Sequence, residues 1–269
     1  MTFFKTTALV CASFCVAGVA SATTLSITVT NNQAEGGLSL TPLYTAIHDG
    51  TFDAFTVGEA ASDGVRLIAE TGAPSAVRDE RLAMDPDSSS VVLASPDGPP
   101  PVQPGETITA TLDIVANEAL FFTFLSMVLP SNDTFIGNDN PLAYQLFDDS
   151  GAFLGAQTIE ITGNDIYDAG TEVNGLEGAA FVQGQDIALG EDEGGVVTAG
   201  GDLSVFAGQT LATGDILGDA AQIDFFSDPA SFSLATITIS EVAPIPLPAS
   251  GLLLLAGMGG IAALRRKQR

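Results

Sequence analysis

The sequence predicts an all-β fold: an antiparallel β-sandwich with one short helix. Three observations carry that reading. Several segments alternate apolar and polar residues with period two, only one segment has helical spacing, and the 29 glycines and 14 prolines sit largely between the alternating segments. Alternation buries one face of a strand, while glycine and proline interrupt strands and shape the turns between them.

The first predicted strand is Leu25–Thr30 (LSITVT). The helical segment runs from Gly58 to Gly72, with Ala61, Val65, Ile68 and Ala69 on one side and Gly72 as its stop. Pro96–Pro104 (PDGPPPVQP) reads as an extended, polyproline-like loop rather than a domain boundary. A second strand follows at Thr107–Val115 (TITATLDIV). Ala119–Pro130 is apolar on both faces near Phe121 and Phe122, which marks a central strand. Gln157–Thr162 and Ser231–Ser240 complete the clear strands, and the last loses its alternation near Ala235, as a bulge would require. Gly184–Gly201 is acidic and glycine-rich and is expected to be a mobile excursion. No internal repeat is visible.

The two ends differ from the body. Residues 1–22 combine Lys5, an apolar stretch from Ala8 to Val19 and the small-residue exit Ala20-Ser21-Ala22, the pattern of a cleaved export signal. Both cysteines, Cys11 and Cys15, fall inside it. The expected mature chain therefore has no cysteine and rests on a hydrophobic core rather than on disulfides. Residues 243–269 hold a proline-rich hinge, an apolar run from Gly251 to Leu264 and the basic cluster Arg265, Arg266, Lys267 and Arg269. As a helix the apolar run is about 21 Å long, and extension back to Leu247 brings it nearer the roughly 30 Å hydrocarbon core. The basic end is expected to stay cytoplasmic, with the body on the far side of the membrane.

With both ends removed, only Arg66, Arg78 and Arg81 remain against all 33 acidic residues, a formal charge of −30. Such a surface repels nucleic acid and anionic headgroups, and it attracts cations. One histidine and no cysteine leave little for zinc sites or nucleophilic triads, and no G-x-S-x-G elbow or phosphate-binding loop is present. His48 reads as a structural, hydrogen-bonding histidine. Asp149-Ser150-Gly151 is half of an aspartic-protease loop without its second copy. Two carboxylates from the acidic loops would suffice for glycoside hydrolysis, although the chain has no tryptophan to stack on a sugar.

Hard-cation binding fits the composition, because calcium takes six to eight oxygens and distant segments can supply them. Asp113 alternates with the apolar set of its strand. Asp133 opens the loop after Pro130. Asp168 lies in NDIYDAGTEVN, where Gly170 permits a turn and Asp165 and Glu172 add oxygens. No EF-hand spacing is present, so local spacing alone leaves these groups as solvated acids, and their convergence has to come from the fold.

Two resemblances extend this reading. Ile245-Pro246-Leu247-Pro248-Ala249, followed by the apolar run and the basic end, resembles the PEP-CTERM sorting signals of Gram-negative bacteria, in their VPLPA variant. It implies an exosortase-like processing protease, a transient inner-membrane anchor and delivery to the cell surface or an extracellular polymer. The stretch LPASG also half-matches the LPxTG signal of Gram-positive sortases, with serine for threonine. In the body, His48–Gly72, TATLDIV, VLPSNDTFIG and YDAGTEVNG, in that order, resemble the spondin domain over roughly Leu25–Val242. This implies a sandwich similar to calcium-dependent membrane-targeting domains, with one calcium ion at the sheet edge. By matching position, its ligands are Asp113, Asp133 and Asp168. Animal members carry cysteines and a tryptophan after the loop aspartate, where this chain has Thr134.

The expected organisation is a signal peptide (1–22), a spondin-type sandwich (23–242) and a sorting signal (243–269). The expected function is that of a non-enzymatic, exported, calcium-binding module for adhesion or matrix assembly. Its partner would be a matrix polymer or a cell-surface ligand, and nucleic acid is excluded. A secreted polysaccharide hydrolase and a purely structural polymer component are the alternatives.

Overall fold

A computed structural model describes residues 22–95 and 101–243. The predicted export signal, the first part of the proline-rich loop and the sorting signal lie outside these residues. Among the described residues, no helix is long and apolar enough to cross a membrane. In chain order the strands are β1 (Thr23–Asn31), β2 (Ser39–Leu40), β3 (Leu43–His48), β4 (Ser89–Leu93), β5 (Thr107–Ile114), β6 (Leu120–Leu129), β7 (Thr134–Gly137), β8 (Gln145–Phe147), β9 (Gln157–Thr162), β10 (Ile166–Asp168), β11 (Thr198–Ala199) and β12 (Ser233–Glu241). Two helices, α1 (Asp63–Thr71) and α2 (Ser75–Met84), lie between β3 and β4.

The strands form two antiparallel sheets packed as a sandwich. The smaller has the order β5-β1-β12-β9, and the larger β11-β10-β7-β6-β3-β4, with β2 and β8 also paired to β6. Edge strands β4 and β5 of different sheets come together along one side. In the smaller sheet, alternation does what the sequence predicts: Leu25, Ile27 and Val29 of β1 and Ile237 and Ile239 of β12 are buried against the larger sheet. The break in β12 falls where the register with β9 shifts between Ser233 and Ala235.

Strand β6 is central and apolar on both faces because both are covered. Phe122, Phe124 and Val128 enter the sandwich core. On the opposite face, Leu125 packs with Phe55, Val65, Ile68, Ala69 and Phe135 beneath the helices, and Met127 and Leu129 meet Ala180. Each large apolar side chain removed from water contributes about 1.5–3 kcal/mol, so this doubly covered strand joins the clusters on both of its faces.

Helix α1 is anchored at both ends. Ser62 Oγ accepts from Val65 N, while Glu80 of α2 accepts from Ser62 Oγ (2.8 Å) and Gly64 N (2.7 Å). At the other end Gly72 adopts φ 71°, the left-handed conformation that glycine takes without a Cβ penalty. Gly64 lets the helices touch, since a methyl group there would lie 2.6 Å from Val77 Cα.

Two expectations need correction. The prediction of one helix misses α2, whose ten residues bury only Val77 and Arg81 and so carry weak helical periodicity. Arg81 is almost fully buried and donates to the hydroxyls of Tyr44, Ser88 and Ser90, all uncharged acceptors. The Gly184–Gly201 segment is not a free excursion. Its second half is laid along residues 170–173 by backbone bonds from Val173 N to Glu191 O, Glu193 N to Thr171 O and Gly195 N to Gly170 O. Val197 then exchanges bonds with Gly58 and Glu59 beside α1.

Candidate metal centre

The site begins with the turn between β6 and β7. Ser131 Oγ donates to Val128 O (2.6 Å) and accepts from Thr134 N (3.2 Å), which closes the turn on itself. Asn132 ties it to the loop after β10, donating from Nδ2 to Glu177 O and accepting from Gly175 N. Between them Asp133 is fixed and fully buried, 0 % exposed. Its Oδ2 accepts three hydrogen bonds, from Thr171 N (2.8 Å), Thr171 Oγ1 (3.2 Å) and Glu172 N (3.0 Å). Its Oδ1 has no hydrogen-bond partner, and no other buried side-chain nitrogen or oxygen among the described residues is left so.

Strand β10 brings Asp168 to the same place by pairing with Thr134 of β7. Asp168 Oδ1 accepts from Gly170 N (2.8 Å) and Oδ2 from Asn174 Nδ2 (2.9 Å), so the carboxylate is held in one orientation. Two glycines make the approach feasible. Gly170 turns with φ 65°, and a methyl group at Gly201 would come within 2.6 Å of Asp168 Oδ2. The third member is Glu193, placed by its backbone bond to Thr171. One carboxylate oxygen from each of Asp133, Asp168 and Glu193 lies within 4.8 Å of the others.

No arginine lies in this group. Burial, reinforced by the Asp168 charge, pushes Asp133 up to about 6 despite its three donors. Burial also raises Asp168, with Glu193 adding to the effect. Glu172, beside them, is pushed up to about 7 by burial and by the charges of Glu70, Asp133 and Asp192, with Arg66 opposing the rise. A buried charge without a counter-charge costs several kcal/mol. Three carboxylates with no imidazole or thiolate among them suit a hard cation such as calcium rather than zinc.

Of the predicted set, the fold brings Asp133 and Asp168 together but not Asp113. Asp113 projects from β5 in the other sheet, is exposed and accepts from Thr24 Oγ1 (2.6 Å). It borders a hollow of about 380 Å³ with Asp49, Asp85, Asp87 and Glu118. The buried carboxylate there, Asp85, has both oxygens satisfied, by Asp49 N and Asp87 N. Asp165 is engaged in a local cap, accepting from Thr162 N and Oγ1. His48 is buried, accepts from Gly50 N at Nδ1 and donates from Nε2 to Thr123 Oγ1, with burial lowering its pKa to about 4. Glu193 escaped the sequence reading, because the acidic run around it has no periodicity to show which carboxylate turns inward.

The Spondin_N family model matches residues 33–183, more than half of the chain and inclusive of Asp133 and Asp168. Glu193 lies beyond that match. No curated protein matches the chain.

The shifted groups set a pH dependence. A carboxylate whose folded pKa is raised holds its proton better in the fold, so its contribution to stability falls as pH rises from the unfolded value near 4 through the folded one. Asp133 and Glu172 act in this sense up to about 6 and about 7. His48 acts oppositely, losing stability as pH falls from 6.5 toward about 4. With two groups against one, the chelated chain is expected to melt higher near pH 5.5 than near pH 7.5, and calcium is expected to erase or reverse the difference. Thermal melts at the two pH values, with calcium and with chelator, check this.

Proposed function

The chain belongs to the Spondin_N family, an extracellular adhesion-type module, and from that premise we propose that it is an exported, surface-sorted calcium-binding protein for adhesion or matrix assembly. Calcium is held by Asp133, Asp168 and Glu193, and it supplies the positive charge that joins the β6–β7 turn, the end of β10 and the acidic loop. The observation that carries this reading is Asp133 Oδ1, a buried carboxylate oxygen with no protein donor, in a residue grouped with two further carboxylates. The ion's role is structural: it neutralises groups that repel one another and fixes loops that present a binding surface. The domain is typically non-catalytic.

Export and sorting belong to the same proposal. Residues 1–22 direct export, and residues 243–269 are cut by an exosortase-like protease after brief anchoring in the membrane. Intact-mass analysis of the protein released by exporting cells is expected to show a chain starting at residue 23 and lacking Arg265–Arg269. A product that retains the basic end contradicts the processing step.

The ion is tested by thermal melting of the full chain. Calcium at about a hundred times its dissociation constant should add about 2.7 kcal/mol of stability. Asp168→Asn or Glu193→Gln should remove most of that gain, whereas Asp186→Asn, on an exposed carboxylate that caps Ala188 N, should not. Equal stabilisation by magnesium or by sodium at matched ionic strength would overturn a calcium-specific site.

A further inference from the structure

We infer that Asn174 is a positioning residue for the ion: its amide locks the Asp168 carboxylate to the turn that carries Asp133. The inference rests on the ion site proposed above and deepens it. Asn174 is half-buried in the loop after β10. Its Oδ1 accepts from Asn132 N (3.1 Å), the backbone group just before Asp133. A backbone N–H can only donate, so the amide oxygen must face it and the NH2 group must face the other way. That NH2 group donates to Asp168 Oδ2 (2.9 Å) and to Thr134 Oγ1 (3.3 Å). Among the described residues no other side chain donates to Asp168, whose Oδ1 is held by Gly170 N of its own turn.

Pinning the loop is not enough to account for this arrangement, because the loop has other anchors. Asn132 Oδ1 accepts from Gly175 N (3.0 Å), Asn132 Nδ2 donates to Glu177 O (2.9 Å), and Val173 N donates to Glu191 O (2.8 Å). What the Asn174 side chain adds is a link from the turn of one ligand to the carboxylate of another. The chemistry of the donor matters as well. Arginine or lysine would orient Asp168 but bring a positive charge that competes with the ion, and aspartate would turn another anionic oxygen toward Asp168. An amide donates and stays neutral, which leaves the cluster's charge for a cation. Gly201 packs against the same bond: a methyl group there would lie 2.6 Å from Asp168 Oδ2 and 2.9 Å from Asn174 Nδ2. Metal-ligating carboxylates are commonly fixed by such outer hydrogen bonds, and loss of one lowers metal affinity about 10–100-fold.

The test compares the full-length chain with its Asn174→Ala and Gly201→Ala variants. Titration calorimetry reads calcium affinity. Emission lifetimes of calcium-displaceable terbium in H2O and D2O read how many waters the bound ion keeps. Asn174→Ala removes the donor, whereas Gly201→Ala retains it and drives two side-chain ends apart, a displacement that asks little of the backbone. Both variants are expected to bind calcium about tenfold more weakly or worse, and to add water to the terbium ion as Asp168 leaves it. If Asn174→Ala does not fold, Gly201→Ala carries the same readouts. Melting temperatures that fall equally with calcium and with chelator, at unchanged affinity and hydration, show a merely structural role and overturn the inference. Weaker calcium binding without added water on terbium also overturns it, since Asp168 would then still ligate. A wild-type chain that binds neither ion overturns the site itself and this inference with it, whereas wild-type binding that survives both substitutions overturns only the role of Asn174.

Discussion

One oxygen constrains the structure more than any other atom: Asp133 Oδ1, buried and anionic, in a body with three arginines and no cation beside it. A buried acceptor loses its hydration on folding, and the loss is larger for a charged group. Proton uptake is one way to relieve it, and the rise of Asp133 to about 6 and Glu172 to about 7 records that tendency. A divalent cation is the other. At neutral pH only the second leaves the group ionised and the neighbouring carboxylates unopposed by one another.

The scaffold spends its order on holding that oxygen in place. Strand β6 is covered by the opposing sheet on one face and by α1 on the other, so the turn at Ser131–Thr134 leaves a rigid support. Backbone donors from Thr171 and Glu172 fill Oδ2 and leave Oδ1 unpartnered, in a carboxylate that gathers with Asp168 and Glu193. The acidic loop is not ornament on this arrangement, since its backbone lies along residues 170–173 and delivers the third carboxylate. The smaller sheet contributes differently: its inner face completes the core.

Much of the fold was legible because period two is a direct consequence of one-sided burial. Strands β1, β5, β9 and β12 alternate for that reason, and β6 announced itself by failing to alternate. Strand β3 is buried throughout, and β7, β8 and β10 are four residues or shorter, so none leaves a clear period. Helix α2 was hidden by its polar composition and by the absence of a side-chain cap at Pro74. In the site, Asp133 and Asp168 were marked by the resemblance to the spondin domain, since local spacing alone left them as solvated acids. Asp113 shared their chemistry but sits in the other sheet, and Glu193 arrives through tertiary pairing that sequence spacing does not encode.

Cation capture would let a domain with few basic side chains order its acidic loops, in keeping with its extracellular adhesion-type family. Without the cation the loop cluster is a set of mutually repelling charges. The most direct test is diffraction from crystals grown with calcium at neutral pH. A single anomalous peak about 2.3–2.6 Å from Asp133 Oδ1, with Asp168 and Glu193 oxygens in the same shell, is the predicted result. A well-ordered map with Asp133 buried as described and no ion beside Oδ1 would contradict it.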